Sequence, residues 1–294
     1  MINDLIYLFD IEIYNYLFFF LYTEIHYKVP GLYSKYYIEE PEIVADCPYR
    51  IEPGCHLPVM VLIKDAHKYN IFLKSIVIII TKKKREVYKL QLNIEKFINK
   101  YLWYKTFNLA INNKISNNGI HFINVHVTFL TKNKLKTVTN YNLKGVEPLP
   151  LKVNFSKFHY PRINFIQFAD IHYHTHLTDD MVEFGAPFQP TLKAAESLNL
   201  QFVCSTDHSY DLNDTIGDWY EKDPGLKKWN KSRSEIQKSN LNSTSYIVPS
   251  EEVTVRNNKG ENVHALILNN PKFIPGNGDG AKQFFMTWSE YTTE

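Results

Sequence analysis

Three imidazoles fall within five positions at Asp170-Ile171-His172-Tyr173-His174-Thr175-His176. Side chains on an extended strand alternate faces, so His172 and His174 share one side at a spacing that lets both grip one cation. A helix places paired ligands four apart, as in His-Glu-x-x-His, a pattern this chain lacks. A lone histidine behind an apolar run is ordinarily a surface residue. Three of the chain's eleven, directly behind Phe165-Ile166-Gln167-Phe168-Ala169, point instead to metal ligation. His176 stands either as a further ligand or as an exposed ring at the rim.

Positioning such a group needs a scaffold, and the following sequence supplies one. Pro190-Thr191 opens a helical pattern with Leu192, Ala195 and Leu198 on its apolar side, and Asn199 suits the helix end. Leu200 to Cys204 reads as a short buried strand running into Thr206-Asp207-His208. Strand, helix, strand is a parallel βαβ unit, and in barrels of such units working residues sit at the carboxyl ends of strands. A third apolar run, Ser245 to Pro249, leads into Ser250-Glu251-Glu252-Val253-Thr254. Beyond the turn residues Asn257 to Gly260 comes His264 at the head of another apolar stretch, so the segment from Glu252 to His264 is expected to form a hairpin over the strand ends. A carboxylate able to bridge two cations, followed by another imidazole, extends the ligand set.

In order, Asp-x-His-x-His-Thr, Thr-Asp-His, Glu-Glu-Val-Thr and a histidine before an apolar strand resemble the first motifs of the PHP (polymerase and histidinol phosphatase) family, over about residues 160 to 270. The resemblance implies a distorted β/α barrel and hydrolysis of a phosphate ester, with two or three divalent ions (zinc, manganese or iron) activating water. It implies His172, His174, His208 and His264 as metal ligands, with Glu252, rather than Glu251, as the bridging and catalytic carboxylate beside His208. Asp170 and Asp207 would orient imidazoles, as carboxylates beside metal-bound histidines do. Asp179, in Thr178-Asp179-Asp180 where the family often has Ser-Asp-Gly, would be an extra ligand. Arg256 and Lys259, on the expected hairpin, are candidates to meet a substrate phosphate or are simply a solvated turn. The family's later ligands have no counterpart: no histidine follows His264, and residues 154–294 supply little more than half of the roughly 250 that a barrel of this type uses. A truncated barrel is therefore expected.

The chain has 294 residues, 44% of them hydrophobic, which suits more than one domain. Residues 1–40 form an apolar packing segment too short in its densest run to span a bilayer and without basic residues ahead of it, so no transmembrane segment or signal peptide is expected. Residues 41–153 carry alternating β-branched and aromatic runs at Val59–Ile63, Phe72–Ile80, Val87–Leu92 and Ile120–Phe129, the pattern of an antiparallel β-sandwich. Val146–Leu151, with two prolines, reads as the linker to the barrel portion, residues 154–294. A net charge of +2 and the short run Lys82-Lys83-Lys84-Arg85 give no nucleic-acid groove, so the phosphate ester that the resemblance implies is expected to be a small molecule rather than a nucleic acid. Cys47, Cys55 and Cys204 form no disulfide framework and point to reduced thiols and a cytoplasmic setting. Two other readings fit the sequence. One is an amide or carbamate hydrolase on a related barrel; the other is an incomplete enzyme whose sandwich binds a partner or glycan.

Overall fold

The alternating runs fold into two packed sheets. The structure, a computed structural model, describes residues 40–110, 119–143, 146–160, 165–178, 184–216 and 218–276. The apolar segment 1–39 and Asp179 lie outside these residues. One sheet joins β1 (Glu42–Asp46), β3 (Leu57–Lys64) and β6 (Leu102–Leu109), all antiparallel. The other runs β2 (Arg50–Ile51), β9 (Leu151–Phe155), β7 (Gly119–Thr131), β4 (Ile71–Lys82), β5 (Arg85–Ile98), with β8 (Lys134–Thr139) also on β7. Every second residue of β4 and β7 points inward: Ile76, Ile78 and Ile80 meet Val125, Val127 and Phe129 in a core that Ile43, Val59, Val61 and Ile63 close from the other sheet. Lys83 and Lys84 sit at the β4–β5 turn with positive φ, so the basic run is a solvated hairpin tip. His121 and His126, on β7, bond the Gly119 carbonyl and the Thr139 hydroxyl and serve packing.

Two expectations need correction. The segment read as a linker ends inside the sandwich, because Leu151 opens β9, and β9 continues past Val153 to Phe155. Val153 and Phe155 are buried in the sandwich core, and the prolines just upstream masked the alternation. Nor is the sandwich wholly antiparallel, since β2 pairs β9 in parallel.

Strand β3 is buried on both faces. Its odd-numbered residues enter the sandwich core, while Pro58 and Met60 face the second half of the chain across an apolar crevice closed by Ala194, Ala195 and Leu198. Those three lie on α1 (Phe188–Leu198), which ends at Asn199 in the left-handed conformation, as its sequence suggested. The helix starts earlier than Pro190, at Phe188, with Pro187 ahead of it. Helix α1 connects β10 (Ala169–Tyr173) to β11 (Phe202–Ser205). After α2 (Ser209–Leu212), β12 (Asp214–Thr215) and β13 (Asp218–Lys222), α3 (Lys227–Asn240) leads to β14 (Tyr246–Pro249). Strands β10, β11 and β14 form a parallel sheet in the order β10-β11-β14, supported by Leu192, Leu212, Ile236 and Ile247. Strand β10 starts only at Ala169; Phe165 and Ile166 of the apolar run preceding it are exposed. β15 (Glu251–Arg256) and β16 (Asn262–Ile267) form a hairpin turning at Asn257–Gly260. Among the described residues the parallel sheet has three strands and does not close, and no helix is long and apolar enough to cross a membrane.

Candidate metal centre

All three parallel strands deliver chemistry at their carboxyl ends. β10 carries His172 near its end and runs on to His174, β11 runs on to His208, and β14 turns through Ser250 into Glu251 and Glu252. The Ser250 amide donates to the Ser205 carbonyl at 3.2 Å and the Glu252 amide to the Asp207 carbonyl at 3.1 Å, which ties the hairpin root to the end of β11. Across the hairpin, Thr254 pairs His264 and Leu266 pairs Glu252, so Glu252 and His264 are diagonal neighbours on one face.

The Glu252 carboxylate, 3% exposed, is the hub. Its Oε2 lies 2.8 Å from His172 Nε2, 3.0 Å from His174 Nε2 and 3.7 Å from His208 Nδ1, and its Oε1 contacts His264 Nδ1. The Nε2 atoms of His172 and His174 are 3.1 Å apart. Two ligand groups result, His172–His174–Glu252 and His208–Glu252–His264, sharing the carboxylate. The His208 separation is too long for a hydrogen bond but suits two ligands of one ion, since bonds of about 2.0–2.3 Å put tetrahedral ligands roughly 3.3–3.7 Å apart. The donor set, imidazoles with one carboxylate, is that of zinc, manganese or iron. Burial pushes the Glu252 carboxyl up, but bonds from His174 and His172, the nearby His208 and a bond from His264 outweigh it, leaving the group at about 2.

Around this hub the expected supporting groups divide. Asp207 is buried and fastens the loop after β10: its Oδ1 accepts the amides of Thr175 (2.6 Å) and Thr178 (3.2 Å) and the Thr178 hydroxyl (2.9 Å), and its Oδ2 accepts the Thr175 hydroxyl (2.9 Å). Burial raises its carboxyl above the ordinary range, opposed by these bonds. Asp170 does not orient an imidazole. Its Oδ1 accepts the His172 amide at 3.2 Å, so it acts on backbone, and its side chain borders the crevice together with Tyr173, because an irregularity in the strand register between Asp170 and Tyr173 breaks the alternation that would have put it beside His172. His176 packs edge-on against Phe188 and belongs to neither ligand group. Arg256 and Lys259 are exposed, Arg256 at the end of β15 and Lys259 in the turn.

Three features escaped the sequence reading. Glu251, 0% exposed on the opposite face of the strand from Glu252, accepts Trp229 Nε1 (2.5 Å), Arg233 Nη2 (3.0 Å) and Asn270 Nδ2 (2.5 Å) on Oε1, and the Ile274 amide (3.2 Å) on Oε2. Burial lowers the Arg233 guanidinium, and Glu251 counteracts this. It thus joins α3 and the segment after β16 to the hairpin. Tyr173, on β10, is the second: its hydroxyl oxygen accepts the Ala186 amide and the Thr191 hydroxyl, pinning the start of α1, and burial raises the phenol to about 12. Gly185 is the third. A Cβ there would stand 1.9 Å from the His174 carbonyl oxygen, so only glycine permits the chain to pass so close.

No family model matches this chain, and no curated protein matches it. Among solved structures it is similar to the CARDB domain of a Pyrococcus furiosus protein crystallised in complex with di-metal ions, at 12% identity, covering 40% of this chain and 91% of that one with a TM-score of 0.21. A likeness at that score carries no argument about this chain.

Proposed function

We propose that the chain is a metal-dependent hydrolase, a phosphoesterase whose parallel strands and hairpin are of PHP type. The observation that carries the reading is the shared carboxylate: Glu252 joins two imidazole groups, each with the ligand number of an open catalytic site. Converging ligands at the carboxyl ends of parallel strands, with a hairpin bringing a fourth imidazole, agree with the motif order. His172, His174 and Glu252 would hold one cation and His208, His264 and Glu252 another. Bound there, two cations supply Lewis acidity toward water and a phosphoryl oxygen, and the single negative charge of Glu252 leaves the pair strongly electrophilic. The half-exposed His172 leaves the first group open to a ligand from solvent, whereas buried His208 closes the second from below. Small phosphate esters suit this opening. The test is metal analysis of purified protein together with hydrolysis of phosphomonoesters and phosphodiesters with added manganese or zinc. Two ions per chain and activity lost in Glu252→Gln are expected. A protein that takes up no transition metal, or hydrolyses equally well without Glu252, overturns the reading.

A further inference from the structure

We infer that Thr178, held by Asp207, is a positioning residue that fixes the tautomer of His174 and so determines which ring nitrogen faces the metal centre. The inference rests on the proposed metal reading and concerns how that site is kept ready. Its basis is a donor count. Asp207 Oδ1 accepts two backbone amides, from Thr175 and Thr178, and an amide N–H can only donate. Oδ1 is therefore an acceptor whatever the state of Oδ2. The Thr178 hydroxyl, 2.9 Å from that same oxygen, must spend its one proton on it. Toward His174 Nδ1, 3.2 Å away, Thr178 Oγ1 then has only lone pairs to offer, so Nδ1 carries the hydrogen. When Nε2 meets a cation through its lone pair, the ring's one hydrogen lies on Nδ1, where Thr178 Oγ1 accepts it; the 3.0 Å to Glu252 Oε2 and 3.1 Å to His172 Nε2 are then separations between ligands of one ion, whereas without a cation Nε2 is the atom that bonds Glu252.

The chain Asp207–Thr178–His174 is buried at its first two members, so water does not compete for the Thr178 hydroxyl. Thr175 acts alongside it: its hydroxyl accepts the Leu177 amide at 3.2 Å and donates to Asp207 Oδ2, which holds the loop that carries Thr178. A carboxylate thus reaches a ligating histidine through a hydroxyl rather than directly. The ring is oriented without placing a second buried charge against it, next to Glu252.

Replacing Thr178 by Val keeps the shape and deletes the acceptor; replacing it by Ser keeps the acceptor. The first measurement is long-range nitrogen–proton NMR on zinc-loaded full-length chain labelled at histidine. His174, assigned by His174→Gln, should be Nδ1-protonated in the wild type and in Thr178→Ser and should gain the Nε2-protonated form in Thr178→Val. Zinc titration against a competing chelator follows, with Thr178→Val expected to bind about 10- to 100-fold more weakly and Thr178→Ser near wild type. An unchanged His174 tautomer in Thr178→Val overturns the inference, as does failure of Ser to restore the wild-type pattern. A wild-type chain that binds no zinc overturns the metal reading and this inference with it, whereas a zinc-loaded wild type whose His174 is not Nδ1-protonated overturns the hydroxyl relay alone, so the two failures are distinguishable.

Discussion

Exchange of carboxylate for amide at two adjacent residues should produce opposite phenotypes. Glu251 is surrounded by donors: Trp229 Nε1, Arg233 Nη2, Asn270 Nδ2 and the Ile274 amide. In Glu251→Gln, either orientation of the amide turns its NH2 toward at least one donor, leaving it unbonded, and removes the charge that faces Arg233. Breaking a buried pair in this way costs about 3–5 kcal/mol, and because Arg233 retains 17% side-chain exposure the lower end applies, about 3 kcal/mol. The imidazoles are untouched, since they meet Glu252 on the other face. Glu252→Gln should do the reverse: the neutral amide cannot balance two cations, so metal content and hydrolysis fall, while the metal-free fold loses contacts with imidazoles, those of His172 and His264 being screened by solvent, and orphans no buried cation, and so is weakened less than by Glu251→Gln. Urea denaturation of metal-free protein gives the first quantity and elemental analysis with a phosphoesterase assay the second. Glu251→Gln that unfolds at the wild-type midpoint but loses metal, or Glu252→Gln that keeps metal at lowered stability, would refute the reasoning about which face each residue serves.

His264→Ala should release one ion and keep the other, because His172, His174 and Glu252 form a group without it; loss of both ions on elemental analysis would contradict the two-group description. The depressed Glu252 carboxyl contributes stability that is full above its ordinary value of 4.5 and disappears as pH falls through about 2, so Glu252 is still ionised at pH 4 and metal released there is released by proton competition for the imidazole ligands. Metal retained in dialysis at pH 4 would argue against histidine ligation. Gly185→Ala forces the chain away from the His174 carbonyl and should cost about 1–3 kcal/mol with weakened zinc binding, whereas a denaturation midpoint equal to wild type would show that the loop yields freely.

Much of the cluster was legible because its histidines and carboxylate belong to residue types with few other uses at such spacing. The two-residue interval in His172-x-His174 means one face only on an extended backbone, and the choice of Glu252 over Glu251 followed from the family pattern that the motif resembles, before any partner was visible. The hairpin could be read from Asn257 to Gly260, whose turn chemistry is local. What stayed hidden depends on pairs distant in sequence. Nothing around Glu251 announces that Trp229, Arg233 and Asn270 converge on it, since α3 is a polar helix of ordinary composition. The part played by Thr178 is equally silent, because a threonine beside histidines becomes a relay only when Asp207 approaches from another strand. In the sandwich, long alternating strands such as β4 were plain, while β9 was obscured by the prolines before it and β2 by its two-residue length. Asp170 was misassigned because regular alternation would put a carboxylate two residues before His172 on the same face, whereas the register irregularity between Asp170 and Tyr173, invisible in the sequence, turns it to the crevice.

The back-to-back arrangement of Glu251 and Glu252 also says which changes of length this region can absorb. One peptide separates the anchor of α3 from the carboxylate of the metal centre, so gaining or losing a single residue between Tyr246 and Glu251 would exchange the two faces and spoil both functions at once. Insertions at the Asn257–Gly260 tip displace neither face, since the β15–β16 register is set by pairs below it. Across related chains, length should therefore be constant from Tyr246 to Thr254 even where residue identity drifts, and free to vary only at the tip of the hairpin.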